Sequence, residues 1–146
     1  MTIVVDTNIL FSACLTPEGR IFEILFAASR NVQIASSHFA IEELQNHKKK
    51  LVRLSKRSVN EIDTLLEVIL KQVDFFSDNI IKNEYWLEAN HLTKDVDSDD
   101  INFVALTLQI EGILWTGDKK LTAHLRSMGF NRVINTAELY DQLEIR

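Results

Sequence analysis

Short apolar segments alternate with longer amphipathic ones along the 146-residue chain. Residues 2–6 form a β-branched, continuously apolar run that ends in an aspartate, which is typical of a strand buried on both faces. Four further segments predict strands in the same way, namely residues 32–35, 73–76, 113–116 and 133–134. Because helical segments separate these strands, the pattern predicts a mainly parallel sheet with right-handed crossovers.

The helical segments carry recognisable end signals. Pro17 and Gly19 break the chain before the first predicted helix. Ser36 or Ser37 is a candidate N-cap for a second helix, with a basic stretch from Lys48 to Arg57 at its far end. A capping-box pattern opens a third helix, so two consecutive helices are predicted between the second and third strands. The remaining predicted helices are residues 80–94, 98–111 and 119–128 and a last one from Thr136. Within residues 80–94, Ile81, Trp86 and Leu87 are expected to face inward.

The elements together predict one α/β domain over residues 1–146. We expect a mainly parallel central sheet flanked by helices on both faces, in a Rossmannoid three-layer α/β/α arrangement. The chain shows no internal repeat, low-complexity segment or linker that would divide it.

Composition narrows the function classes. The formal net charge of −5 argues against a protein that coats nucleic acid, although a nuclease with a local basic surface remains compatible. No apolar run approaches the roughly 20 residues that a transmembrane helix needs. Cys14 is the only cysteine, so an internal disulfide is impossible. With no cationic leader before the first strand, we expect a cytoplasmic protein with no membrane association.

Carboxylates stand at the ends of several apolar segments, and these are the candidate functional residues: Asp6, Glu43, Asp97, Asp99, Asp100 and Asp118. Each has a structural alternative, because Asp is a common N-cap and Glu is a good helix former. Their conjunction favours a site, since the carboxyl ends of parallel strands meet at one edge of the sheet. Clustered carboxylates repel one another unless cations hold them, and oxygen ligands suit Mg²⁺ or Mn²⁺.

Other cofactors lack a matching motif. The four histidines form no H-E-x-x-H pattern, which argues against zinc. His47 stands four residues after Glu43 and is expected near the surface rather than as a ligand. A Walker-type phosphate loop, a G-x-G-x-x-G turn and a G-x-S-x-G elbow are all missing from the sequence, so a nucleotide cofactor is not expected.

Four segments, taken in order, carry a resemblance to a known family. They are Ile3 to Leu10 with the triplet Asp6-Thr7-Asn8, Ser37 with Glu43-Leu44, Asp97 to Leu106, and Trp115 to Asp118. The chain resembles the PIN-domain ribonucleases, of the VapC-like kind found as toxins in prokaryotic toxin–antitoxin pairs. The resemblance spans nearly the whole chain.

The resemblance implies a metal-dependent endoribonuclease that hydrolyses RNA phosphodiester bonds with Mg²⁺ or Mn²⁺. It places the catalytic and metal-binding acids at Asp6, Glu43, Asp100 and Asp118. Asp97 and Asp99 are alternatives to Asp100, which is preferred because it stands five residues before the small helix residue Ala105. Asn8 and Thr116 would be polar supports of the site. The implied partners are RNA, a cognate antitoxin and a second copy in a homodimer, and the basic stretch from Lys48 to Arg57 is a candidate contact for RNA phosphates.

Two other interpretations of the function are compatible with the sequence. One is a PIN-like module that binds RNA or protein without cutting it. The other is phosphoryl transfer through an aspartyl phosphate on Asp6, since such nucleophiles also follow strands. Haloacid-dehalogenase-like enzymes carry a second Asp two residues later, where this chain has Asn8. Asp74 and Asp78 match the mid-chain acid of receiver-like domains poorly.

Overall fold

The computed structural model describes residues 1–27, 31–96 and 98–145, and of Ser98 only the backbone. Within these residues a five-stranded sheet forms the centre of the fold. The strands are β1 (Thr2–Val5), β2 (Gln33–Ser37), β3 (Asp74–Phe76), β4 (Ile113–Trp115) and β5 (Val133–Ile134). They lie in the order β3-β2-β1-β4-β5 and every neighbouring pair is parallel, which confirms the predicted sheet.

Helices fill every connection between the strands, and a last helix follows β5. They are α1 (Thr7–Leu15), α2 (Arg20–Ala27), α3 (His38–Asn46), α4 (Lys48–Ser55), α5 (Val59–Leu70), α6 (Asn83–Thr93), α7 (Ile101–Gln109), α8 (Lys119–Ser127) and α9 (Thr136–Gln142). Short 3₁₀ turns at Asp78–Ile80 and Ser98–Asp100 precede α6 and α7. The predicted cap signals are present, since the Ser37 hydroxyl accepts from the Phe39 N–H at 3.1 Å and Ser58 forms the capping box of α5.

The helices form layers on both faces of the sheet, as right-handed crossovers require. On one face α1 packs against α2, α3, α4 and α5, and α9 packs against α2. On the other face α7 packs directly on β1, β2 and β4, with α6 outside it and α8 beside α6. The predicted three-layer α/β/α arrangement is therefore confirmed. No helix in the described ranges has both the length and the apolar character needed to cross a bilayer.

The core lies between the layers, and its burial explains the continuous apolar runs of the strands. Ile3, Val4 and Val5 of β1 are fully buried, as is Trp115 of β4. The polar end of that indole is satisfied because Trp115 Nε1 donates a hydrogen bond to Thr136 Oγ1 at 3.0 Å. Cys14 is also buried, and this burial raises the pKa of its thiol to about 11, as expected of a small core residue.

Three local predictions were wrong. Helix α1 was not predicted, because it buries residues on several sides and therefore shows no clear polar face. One helix was expected directly after β2, but the structure has two, α3 and α4, which meet at His47. Three helices rather than two therefore connect β2 to β3. In α6 the side chains buried in the core are Ala89, Leu92 and Thr93, whereas Leu87 is 70% exposed.

Candidate active site

The site lies at the point where the strand order reverses. Consecutive connections run outward from β1 to β2 and β3, and the chain then returns to place β4 on the other side of β1. In open α/β sheets, a crevice forms at this reversal outside the carboxyl ends of the strands. Asp6 follows β1 directly and Thr116 follows β4, so the two residues face each other across the reversal.

Asp6 is the most buried of the predicted acids that the structure describes, with only 3% of its surface exposed. Its Oδ1 accepts the Ile9 N–H at 3.0 Å, which makes Asp6 the N-cap of α1. Its Oδ2 accepts the Thr116 hydroxyl at 2.7 Å. Burial raises the pKa of Asp6 to about 6, and the negative charges of Asp118 and Glu43 add to the rise, while the two hydrogen bonds oppose it.

Glu43 reaches the same edge from α3. The helix begins where β2 ends, so its second turn stands beside the carboxyl end of β1. Glu43 is half-buried, and its Oε1 accepts a hydrogen bond from the Thr7 hydroxyl. Thr7 is itself buried next to Asp6 in the chain. No role was predicted for Thr7, although the structure makes it the residue that holds Glu43 at the site.

A polar cleft of about 190 Å³ brings several predicted residues together. Its lining residues are Asp6, Thr7, Asn8, Glu43, His47, Asp99, Asp100 and Phe103. Asn8 and His47 are exposed at the cleft, and Asp99 is more exposed than Asp100. Asp100 occupies the N-cap position of α7, yet its side chain makes no capping hydrogen bond. Asp97 lies outside the described residues.

Asp118 stands beside this cleft and is not among its lining residues. Its Oδ1 accepts the Lys120 and Leu121 N–H groups at 2.9 and 3.1 Å, so the carboxylate caps α8. Its own N–H donates to Thr116 Oγ1 at 3.1 Å. The carboxylate is still close enough to Asp6 to raise the pKa of that residue. The structure thus brings Asp6, Glu43 and Asp100 to one cleft and places Asp118 at its side.

Asp78 connects two of the elements that carry the acids. Its Oδ1 accepts the Ser37 hydroxyl at 2.9 Å, at the start of α3. Its Oδ2 accepts from Asn102 Nδ2 at 2.8 Å, in the first turn of α7. A single carboxylate therefore ties the helix that carries Glu43 to the helix that follows Asp100. The sequence offered no signal for this role, because Asp78 and Asn102 are far apart in the chain.

The donor chemistry of the cleft fits a hard divalent cation. Its charged ligand candidates are carboxylates. Burial and two neighbouring negative charges make the ionised form of Asp6 unfavourable, and a bound cation would stabilise it. In the described part of the chain, however, no three acidic, histidine or cysteine side chains already stand close enough together to enclose an ion. A metal would be held by Asp6, Glu43 and Asp100 only after side-chain adjustment.

Solved structures with the same fold are similar to this one at low sequence identity. VapBC2 from Rickettsia felis, solved bound to a DNA fragment from the promoter, gives a TM-score of 0.73 at 16% identity, covering 92% of this chain and 98% of that one. The protein PAE2754 from Pyrobaculum aerophilum gives 0.71 at 17% identity, with coverages of 100% and 91%. VapBC-1 from nontypeable Haemophilus influenzae gives 0.67 at 17% identity, with coverages of 94% and 99%.

Sequence comparison supplies the family. No curated protein matches the chain. The family model described as PIN domain matches residues 4–134, a range that begins in β1 and ends in β5. This match contains every strand end and helix start that contributes a residue to the cleft, and it agrees with the resemblance found in the sequence. The chain therefore belongs to the PIN domain family.

Proposed function

We propose that the protein is a metal-dependent endoribonuclease that hydrolyses RNA phosphodiester bonds, with Mg²⁺ or Mn²⁺ as its cofactor. The observation that carries the proposal is the cleft that joins Asp6, Glu43 and Asp100 at the reversal of the strand order. Membership of the PIN domain family supports it, since the resemblance found in the sequence is to the ribonucleases of this family.

The four acids have distinct roles in this proposal. Asp6 is the central ligand, because its position at a strand end and its two hydrogen bonds fix its orientation. Glu43 and Asp100 approach from opposite faces of the sheet. Asp118 accepts both capping bonds on Oδ1, so Oδ2 is the oxygen that we assign to a cation. Asp97 and Asp99 remain the alternatives to Asp100.

Neighbouring residues orient the carboxylates through hydrogen bonds. Thr116 holds Asp6 with its hydroxyl and accepts the Asp118 N–H, which fixes the spacing between the two strand ends. Thr7 orients Glu43. Asn8 lies exposed at the cleft, where its amide can contact the substrate. When bound, divalent cations supply charge stabilisation to the attacking and leaving oxygens of an in-line displacement.

The biological setting that we propose is that of a toxin. The Rickettsia felis and Haemophilus influenzae proteins that share the fold are named as VapBC pairs. By extension, we propose that this chain acts in the cytoplasm, pairs with a cognate antitoxin and forms a homodimer. Induced expression in bacteria tests the toxin role, since growth should stop with the wild-type chain and continue with Asp6→Asn.

The enzymatic proposal is tested by incubating the purified protein with end-labelled RNA. Cleavage should occur with Mg²⁺ or Mn²⁺, stop with EDTA, and be lost in Asp6→Asn. The chain also offers a matched pair, because Glu43 lines the cleft whereas the adjacent Glu42 is exposed. Glu43→Gln should lower the rate about 100-fold or more, on the scale expected when a supporting or catalytic group is lost, and Glu42→Gln should not.

Other results would overturn the proposal. RNA binding without cleavage under every metal tested would indicate a silent binding module. A covalent phosphate on Asp6, released by hydroxylamine, would indicate the aspartyl-phosphate chemistry. Cleavage that survives Asp6→Asn at the wild-type rate would mean that a contaminating nuclease or another site is responsible.

A further inference from the structure

A second cleft is lined in part by Thr116, whose hydroxyl donates to Asp6 in the acidic cleft. It has a volume of about 500 Å³ and is formed by one face of α8 and the start of α9. Lys119, Thr122, Ala123 and Arg126 recur along α8 at the spacing of a single helix face. The remaining lining residues are Thr116, Gly117, Asn135, Thr136 and Ala137. The volume is in the range of about 300–1,000 Å³ that is usual for ligand pockets.

The charge of this second cleft is opposite to that of the first. Its charged lining residues are Lys119 and Arg126, with no carboxylate among them. Arg126 lies 3.9 Å from the carboxylate of Glu138, but both side chains are about half exposed, so water and salt weaken this pair. Thr136 Oγ1 accepts the Trp115 N–H and therefore keeps its own hydroxyl proton for another acceptor. The cleft thus offers two cations and a hydroxyl donor to an anion.

Thr116 connects the two clefts. Thr116 lines the second cleft, and its hydroxyl lies 2.7 Å from Asp6 Oδ2 at the back of the first. A polyanion whose scissile phosphate lies at the acids would have its neighbouring phosphate within reach of α8. Such an arrangement is needed because the acidic cleft and the overall charge of −5 repel a nucleic-acid backbone.

We propose that the cleft between α8 and α9 binds the RNA strand next to the cleaved bond, with Lys119 and Arg126 contacting its phosphates. The inference rests on the proposed ribonuclease function and deepens it by assigning a substrate-binding surface. The contacts are made to the sugar–phosphate backbone, so they contribute affinity and position without selecting a base sequence.

Binding is measured by fluorescence anisotropy with a labelled oligouridylate in EDTA, over a series of salt concentrations. Each phosphate contact on a single strand contributes about 0.7 to the slope of log K against log salt, so Lys119→Ala with Arg126→Ala should lower the slope by about 1.4. At about 0.1 M salt this corresponds to an affinity roughly 25-fold weaker. Under cleavage conditions the same variant should raise KM and leave kcat nearly unchanged.

The matched control removes one lysine and one arginine elsewhere. Lys71 and Arg132 are exposed and stand just before β3 and β5, at the opposite edge of the sheet. Lys71→Ala with Arg132→Ala should leave the slope and the affinity unchanged. Ala123→Phe tests the cavity itself, because it fills the cleft without altering charge, and should weaken binding at an unchanged slope.

The outcomes separate the inference from the function on which it rests. RNA cleavage and binding that are equally insensitive to both double variants would overturn the inference and leave the ribonuclease intact. RNA binding that depends on Lys119 and Arg126, without cleavage in any metal, would uphold the cleft and overturn the ribonuclease. If polyglutamate of equal charge binds as tightly as the RNA, the cleft attracts anions without specificity, and the inference is also overturned.

Discussion

Replacing Asp6 with asparagine is expected to stabilise the metal-free protein at neutral pH while abolishing cleavage. The carboxylate is buried, with 3% of its surface exposed, and the charges of Asp118 and Glu43 act on it. Its charged form is therefore unfavourable in the folded state until a cation arrives. Asparagine retains the shape and an oxygen that can accept the Ile9 N–H at the start of α1, so the cap is preserved.

The magnitude follows from the pKa of Asp6. The folded value of about 6 lies above the ordinary value of 3.8, so the folded state binds the proton more tightly than the unfolded chain does. The contribution of Asp6 to stability is therefore greatest below about pH 4 and is lost as the pH rises through about 6, with a total cost of about 3 kcal/mol. The opposing effect of the Thr116 hydrogen bond is already contained in that pKa. The gain of about 3 kcal/mol therefore corresponds to a rise of about 9 °C in Tm for a chain of this length.

The assay is urea unfolding in EDTA, followed by circular dichroism at pH values of about 7.5 and about 4. Asp6→Asn should be more stable than the wild type at the higher pH and should lose this advantage at the lower one. Asp74→Asn is the matched control, because Asp74 is exposed and its replacement should change stability by less than about 0.5 kcal/mol. A stability difference for Asp6→Asn that does not change with pH would refute the reasoning.

Four further outcomes are expected. Cleavage should fall as the pH drops through about 6, because Asp6 becomes protonated, and a pH–rate series at rising Mg²⁺ should move that midpoint downward as metal competes with protons. Thr116→Val removes a hydrogen bond that lowers the pKa of Asp6, so the acid limb should move to higher pH, whereas Thr116→Ser should restore it. Mn²⁺ at about 100 times its Kd should stabilise the wild type by about 2.7 kcal/mol in thermal unfolding and Asp6→Asn far less. Leu87→Ala should leave stability within about 0.5 kcal/mol, whereas Leu92→Ala should cost about 2–5 kcal/mol in urea unfolding, because only Leu92 is buried.

The strands were predictable because a strand that is buried on both faces is a short, continuously apolar run. Turn residues at both ends of such a run distinguish it from a helix. Helix α1 escaped prediction for a related reason. It is packed against the helices α2 to α5, so its apolar residues do not fall on one stripe, and its first residues Thr7 and Asn8 resemble a turn. A periodicity argument needs a solvent-facing side, and α1 has too little of one.

The exposed Leu87 shows a second reason why a prediction from local sequence can fail. Trp86 and Leu87 are adjacent on α6, so both cannot face the same layer, and the sequence does not say which one turns inward. The answer depends on where α7 and α8 lie, since α6 packs against both of them. Packing partners that are distant in the chain decide such a choice, and local pattern does not contain them.

The candidate site was predictable in position but not in detail. Strand ends and helix starts share one edge of a parallel sheet, so topology predicts that Asp6, Glu43 and the acids before α7 lie near one another. The choice of Asp100 among those acids came from the family resemblance. The contacts of Thr7 with Glu43 and of Asp78 with Ser37 and Asn102 join separate segments. No spacing rule connects those segments, so only the folded structure could reveal the contacts.

Asp118 shows why the position of an acid does not determine its function. A residue just after a strand and just before a helix satisfies two rules at once, because it is at the carboxyl edge of the sheet and also at the N-cap. In this structure the cap takes Oδ1 through two backbone bonds, while the charge still reaches Asp6. These uses are compatible because a carboxylate has two oxygens. A cap that holds one oxygen rigidly orients the other, and such rigidity is an advantage for a metal ligand.

Asp6 follows the same design, with Oδ1 on the Ile9 N–H and Oδ2 turned toward Thr116. We therefore expect the two strand-end acids to hold a fixed geometry, and Glu43, which a single hydroxyl retains, to make the adjustment when a cation binds.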